Sequence, residues 1–166
     1  MFVDEVVIQV EAGRGGDGCK SFRREKFVPR GGPDGGNGGN GGSVIVLAEA
    51  GVDHLAALAH RKHWRAKNGE RGGSSQCHGA SAADLVLRVP PGTLIRDASE
   101  GFVLKDLTHP GDRVVVAHGG KGGKGNAHFK SATNRAPQTV TPGGEGERRM
   151  LRLELKVIAD VGLVGR

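Results

Sequence analysis

The chain has 166 residues, 30 of them glycine, only 4% aromatic residues, and a formal net charge of +6. This length suits one domain with a real core, and regular alternating apolar segments between the glycines argue against a disordered linker. The glycine triplets are few and Pro33 is the only proline among them, which argues against a collagen-like helix.

Charge is unevenly spread. Residues 14–30 hold Arg14, Lys20, Arg23, Arg24, Lys26 and Arg30 against Asp17 and Glu25, and residues 61–71 hold Arg61, Lys62, Arg65, Lys67 and Arg71 against Glu70. Residues 113–135 carry Arg113, Lys121, Lys124, Lys130 and Arg135 with no acid, whereas residues 84–112 are net acidic. Positive charge thus accompanies the Gly-rich stretches and points to a polyanionic partner, nucleic acid before membrane, because no amphipathic basic helix is present. Cys19 and Cys77 are too few for a disulfide framework, the opening Met1-Phe2-Val3-Asp4-Glu5 lacks a signal peptide's basic lead, and no stretch reaches transmembrane length. A cytoplasmic protein without a membrane span is expected.

In chain order, Phe2 to Val10 is β-branched and alternating and reads as a strand that ends at a first glycine cluster, Gly13, Gly15, Gly16 and Gly18. Phe22-Arg23-Arg24-Glu25-Lys26-Phe27 interleaves bases with aromatics; Phe22 and Phe27 are read first as core anchors and second as base-stacking platforms, the cations as phosphate contacts. The stretch Gly31 to Gly42 follows, with glycines in two registers of three, Gly32, Gly35, Gly38, Gly41 and Gly36, Gly39, Gly42. Three is the period of a polyproline II helix, so two of its edges are bare and neighbouring extended chains can approach and hydrogen-bond without a hydrophobic core.

Ser43 to Ala48 is a short apolar strand, His54 to His60 a helical turn or two, and Arg61 to Arg71 a basic segment centred on Trp64. Asp84 to Val89, Thr93 to Asp97, Phe102 to Asp106 and Asp112 to Ala117 are short strands punctuated by Pro90-Pro91-Gly92, Glu100-Gly101 and Pro110-Gly111. Gly119, Gly120, Gly122, Gly123 and Gly125 and then Gly143, Gly144 and Gly146 form two further clusters, and Met150 to Val157 alternates cleanly. The fold expected is all-β, a bundle of Gly-rich polyproline II helices attached to a small β-barrel or sandwich of about eight strands.

Gly120-Lys121-Gly122-Gly123-Lys124-Gly125 fits G-x-G-x-x-G after a strand, but no apolar helical face follows, so a dinucleotide site is disfavoured. Cys19, Cys77, His60, His63 and His78 lack the paired spacing of a zinc site, and no nucleophile and base are legible. Lys121 and Lys124 read instead as charge on a slim loop able to enter a narrow cleft of structured RNA, a solvated flexible loop being the alternative.

Phe2-Val3-Asp4, Phe22 to Lys26 running into Gly31 to Gly42, Val89-Pro90-Pro91-Gly92-Thr93, Gly119 to Asn126, Asn134-Arg135-Ala136-Pro137 and Leu153 to Gly165 together resemble the N-terminal domain of the Obg family of GTPases. The resemblance covers nearly the whole chain and implies residues 1–156 as the Obg domain, with 157–166 as the first strand and start of the P-loop of a GTP-binding domain, Gly165 being its first glycine. The parent would be a cytoplasmic GTPase binding GTP or GDP with Mg; this chain alone would carry no cofactor, metal or catalysis. The implied function is docking on rRNA and proteins of the large ribosomal subunit during its assembly, the chain being a monomer. The loops implied to enter rRNA are Gly31 to Gly42 (Gly35, Gly36, Gly38, Gly39), the segment around Arg71 to Gly79, and Gly119 to Gly125 (Gly120, Gly122, Gly123). The phosphate contacts expected are Arg23, Arg24, Lys26, Arg30, Arg61, Lys62, Arg71, Lys121, Lys124, Lys130 and Arg135. The alternative is a module that docks on, and regulates, its own GTPase domain.

Overall fold

A computed structural model describes residues 4–24, 31–131 and 133–156. Eight strands form: β1 (Asp4–Glu11), β2 (Val44–Ala48), β3 (His63–Arg65), β4 (Leu85–Val89), β5 (Thr93–Asp97), β6 (Val103–Leu107), β7 (Arg113–Ala117) and β8 (Arg148–Leu155). Five of them make one sheet in the order β3-β1-β8-β5-β6, and three make a second, β4-β2-β7. Both sheets are mixed, since β1 pairs β3 and β2 pairs β4 in parallel while the remaining pairs are antiparallel.

Alternation sets the register. In the long β1/β8 ladder Val6 faces Leu153 and Ile8 faces Leu151, so the apolar side chains of both strands share one face. They pack against Val44, Val46, Leu87, Val89 and Val116 of the smaller sheet, Ile95 and Leu107 joining from β5 and β6. Leu55 and Leu58, from the turn around the short helix α1 (Ala56–Ala59), close one end of this core. Asp4 anchors that turn by accepting the Leu55 N–H at 2.9 Å.

Three excursions leave the β-body and return: residues 12–43 between β1 and β2, 66–84 between β3 and β4, and 118–147 between β7 and β8. Each supplies two extended segments, and the six pack into one bundle held by backbone hydrogen bonds every third residue. Gly13, Gly16 and Cys19 donate to the carbonyls of Gly42, Gly39 and Gly36, while Gly36, Gly39 and Gly42 donate to Gly73, Glu70 and Lys67, all at 2.8–3.0 Å. Gly38 and Gly41 donate to Gly123 and Gly120, both at 2.8 Å. Residues 34–43 are therefore the central strand of the bundle.

Its third edge carries side chains, and they are used. Asn37, Asn40 and Ser43 each accept an N–H, from Gly125, Gly122 and Gly119 respectively, all at 2.9 Å. Their own N–H groups donate to His78 Nδ1, Ser81 Oγ and Asp84 Oδ1, again at 2.9 Å. A period of three thus serves three neighbours in rotation, as expected for a polyproline II helix, which has no internal hydrogen bonds.

The bundle glycines are needed for approach and not for backbone freedom. Among the described residues, positive φ in glycine is confined to Gly51, Gly92, Gly101 and Gly111, all in turns of the β-body. A Cβ on Gly35, Gly38 or Gly41 would lie 1.8–2.0 Å from the carbonyl oxygen of Cys19, Gly16 or Gly13, and one on Gly36, Gly39 or Gly42 would lie 2.1–2.3 Å from that of Cys77, Ala80 or Ala83. Two segments, residues 66–73 and 76–84, join the bundle although their sequence reads as a basic stretch and an irregular loop. At a close crossing only one of the two chains must be glycine: Gly36, Gly39 and Gly42 supply it against residues 76–84, while Gly13, Gly16, Gly69 and Gly72 supply it around residues 66–73.

Candidate nucleic-acid interface

The three excursions turn at the end of the bundle remote from the β-body. The described residues there are 20–24 and 31–33, 74–76, and 127–131 with 133–140, and the three groups touch. Asn126, fully buried, ties two of them together: its Oδ1 accepts from Gly35 N at 2.9 Å and Ser21 N at 3.3 Å, and its Nδ2 donates to Ser21 O at 2.9 Å and Pro137 O at 3.2 Å. Every hydrogen-bonding position of that amide is used. Gln76 N donates to Asp34 O and joins the third turn to the first.

That third turn is type I′. Ser75 and Gln76 have φ of 58° and 55°, and Cys77 N returns to Ser74 O at 3.2 Å. Asn-Gly is the usual choice for such a turn; here two ordinary side chains hold the left-handed conformation, at roughly 1 kcal/mol each. A groove of about 520 Å3 between Lys20, Phe22, Arg24 and Ser74 and Ser75 separates this turn from the first. A larger one, about 690 Å3, lies between Phe22, Arg24 and Gly32 on one side and Lys130 and Arg135 on the other.

Ion pairing divides the cations into two populations. On the β-body, Arg65 and Arg148 hold Glu11 at 3.3 and 3.2 Å, Arg96 holds Glu154 at 3.0 Å, Arg149 holds Asp97 at 2.9 Å and Lys156 holds Asp106 at 2.7 Å. At the bundle end, Lys20, Arg24, Lys130 and Arg135 are exposed and, among the described residues, make no ion pair. Such cations keep their charge available to an external anion. Arg14 is the exception within the bundle, bridging Asp17 at 3.1 Å and Glu145 at 3.2 Å. Asp17 also accepts the Gly143 N–H at 2.8 Å; this bond first, and the Arg14 guanidinium second, hold its carboxyl below the usual range. The group clamps residues 12–19 to residues 141–147 and is structural.

The cations expected from the sequence fall into four places. Arg23, Arg24, Lys130 and Arg135 lie at the bundle end, with Arg71 just short of it. Lys121 and Lys124 stand three residues apart on the exposed edge of residues 118–126, along the bundle's flank. Arg61 and Lys62 lie on the β-body at the start of β3; the Arg61 guanidinium sits 4.6 Å from the Trp64 ring centroid and its Nε donates to His63 O at 3.0 Å. Lys26, Arg30 and Gly165 lie outside the described residues.

Two expectations are corrected. The glycines Gly35, Gly36, Gly38, Gly39, Gly120, Gly122 and Gly123 do not form loops that project from the molecule; they sit inside the bundle, because their missing side chains admit neighbouring backbones. What projects is the turns between the segments. Phe22, read first as a core anchor, is outside the hydrophobic core and lines both end grooves. Its place follows from the bundle, whose interior is backbone packed on backbone with no room for a ring. Gly120 to Gly125 is followed only by a 3-10 turn, Asn126–Phe129, which rules out the strand-loop-helix of a dinucleotide site. Lys20 and Asn126 were not singled out by their chemistry. A buried asparagine closing a period-three glycine run, as in Gly122-Gly123-Lys124-Gly125-Asn126, is the signal that could have marked the latter.

Among the described residues no helix is long and apolar enough to cross a membrane, and no group of histidine, cysteine or carboxylate side chains could hold a metal ion. The architecture is that of a Gly-rich extended bundle on an all-β body, the arrangement the sequence resemblance implies. A family model described as GTP1/OBG matches residues 3–157. The chain belongs to this family and is its GTPase-associated N-terminal Obg domain.

Proposed function

We propose that this domain docks its parent GTPase on structured RNA of the large ribosomal subunit during subunit assembly, through the turns at the end of the Gly-rich bundle. The observation that carries this is the contrast in pairing: Lys20, Arg24, Lys130 and Arg135 converge on two grooves with no ion pair among the described residues, while the arginines of the β-body are largely committed to carboxylates. The bundle is rigid and slender, so it presents that charge at a distance from the body, as entry into an RNA cleft requires. Lys121 and Lys124 extend the same field along one flank, and Arg71 along another. GTP and Mg belong to the parent's nucleotide-binding domain. No residue pattern within 1–166 completes a phosphate-binding loop.

Co-sedimentation with purified large ribosomal subunits tests the proposal. The wild-type chain is expected to pellet with the subunits at low salt, Lys130→Glu with Arg135→Glu to stay in the supernatant, and Lys121→Glu with Lys124→Glu to be weakened less. The alternative, docking on the parent's own GTPase domain, is favoured by one feature: Phe102, Val103 and Met150 are exposed apolar side chains on the larger sheet, at 47%, 47% and 38% accessibility. Under that alternative, Phe102→Ser would change GTP turnover in the parent and leave subunit binding untouched.

A further inference from the structure

The larger of the two end grooves has a composition that phosphate contact alone does not require. Among the described residues it is lined by one aromatic ring, Phe22, by the cations Arg24, Lys130 and Arg135, and by the amide of Gln138, with no carboxylate. Its volume, about 690 Å3, lies within the ~300–1,000 Å3 of small-ligand sites.

Phe22 is half-buried and held from behind. Its backbone bridges to Pro33, Arg23 N donates to Gly32 O at 2.9 Å, and Ser21 O receives the Asn126 amide at 2.9 Å. A ring outside the core, on a braced backbone, facing a groove, is a platform.

Gly32 supplies an independent observation. Between Gly31 and Gly42 it is the one glycine whose Cβ would meet no backbone atom of the described residues; the nearest such group is Lys130 Nζ at 3.6 Å, an ordinary contact. Its φ is not left-handed either. Neither packing nor conformation calls for glycine there. What a bare backbone does at that point is keep the floor of the groove low beneath Lys130.

We propose that this groove receives a single unpaired RNA nucleotide, its base stacked on Phe22 and its phosphate held among Arg24, Lys130 and Arg135. This rests on the RNA-docking proposal and adds what kind of RNA is recognised. A stacked duplex exposes no base face and offers a ring nothing to stack on, whereas unpaired loop nucleotides do both. Gln138 has one acceptor and two donors with which to meet a base edge.

The test uses a short single-stranded oligoribonucleotide carrying one 2-aminopurine, beside a blunt RNA duplex, both titrated with the 166-residue chain at low salt. The wild type quenches the 2-aminopurine and binds the single strand more tightly than the duplex. Phe22→Leu weakens the single strand by about 5- to 150-fold, the range of one base-aromatic stack, and leaves the duplex unchanged; Phe22→Trp restores binding. Should Phe22→Leu disturb folding, Gly32→Leu fills the groove from its floor and gives the same selective loss. Single-strand binding that survives both variants, or that falls in step with duplex binding, overturns the nucleotide site. In that event Lys130→Glu with Arg135→Glu decides the wider question. If it abolishes binding to both RNAs, docking stands without the site; if it changes neither, docking falls as well.

Discussion

Replacing Gly38 by alanine adds one methyl group at the centre of the bundle, where it would lie 1.9 Å from Gly16 O and 2.3 Å from Gly16 C. Ordinary contact begins near 3.4 Å, so residues 12–19 must retreat by about 1.5 Å at that point. Gly16 N binds Gly39 O at 2.9 Å and Gly16 O receives Gly123 N at 2.8 Å; a retreat of that size takes both past hydrogen-bonding range. Losing two to four such bonds, at about 1 kcal/mol each plus the cost of orphaned groups, amounts to roughly 3–5 kcal/mol, offset by about 0.4–1 kcal/mol from the stiffer unfolded chain. The expected net loss of ~2–4 kcal/mol lowers the melting temperature by roughly 5–15 °C in a domain of this size. Gly32→Ala is the matched control: its methyl would meet only Lys130 Nζ at 3.6 Å, so the unfolded-state effect should stand alone and stability should hold or rise by up to about 1 kcal/mol. Thermal melts of the two variants beside the wild type decide the matter. Equal, near-neutral melts would show that the glycines confer flexibility and not close approach, and the packed bundle would be refuted.

Asn126→Ala removes an amide that makes four hydrogen bonds within the turns and leaves the Gly35 N–H without its partner; a loss of about 2–4 kcal/mol is expected in urea unfolding, with exchange of the Gly35 amide accelerated. Gln76→Gly relieves one left-handed side-chain residue in the type I′ turn and should raise stability by about 0.5–1 kcal/mol in the same assay. Acid lability follows from the carboxylates of Asp17, Asp97, Asp112 and Glu147, each held below its ordinary range chiefly by a backbone N–H, from Gly143, Glu100, His109 and His118 respectively. A depressed folded-state value stabilises above the unfolded value and is lost as pH falls, so stability should be level above about pH 5 and decline below about pH 4. Asp17→Asn should make that decline shallower, as unfolding midpoints across pH would show.

Much of the fold was legible because its two halves follow different periods. Alternation marked β1, β4 and β8, and short apolar runs between turn signals marked β2, β5, β6 and β7, with bounds within two residues; Phe2, Val3 and Val157 of the expected strands lie outside the described residues. Glycine at every third position marked residues 35–42 and 119–125 as extended and packed. His63–Arg65 was not marked: three residues are too few for their exposed, half-buried, exposed pattern to register inside a basic stretch, and their pairing with β1 is fixed by tertiary context. Residues 76–84 escaped because Gly36, Gly39 and Gly42 of the partner segment meet the glycine requirement there, and residues 66–73 because their Gly69 and Gly72 stand among charged residues. For the proposed interface, charge composition pointed to a polyanionic partner but not to where on the fold the cations gather. Lys121 and Lys124 draw the eye because glycines flank them, yet those glycines face the neighbouring segments and leave the lysines on a flank. The turns that project are poor in glycine, and only the folded bundle shows that Lys20, Arg24, Lys130 and Arg135 meet there.

The most direct test of RNA docking at the bundle end is the salt dependence of affinity for purified large ribosomal subunits, measured for the wild type and for Lys130→Glu with Arg135→Glu. Four cations neutralising phosphates release the counterions held there, which predicts a slope of log affinity against log salt near −3, at about 0.7–0.9 per contact, and a shallower slope with weaker binding in the variant. Affinity that ignores salt, or that survives the double reversal in a folded protein, would contradict RNA docking through these turns.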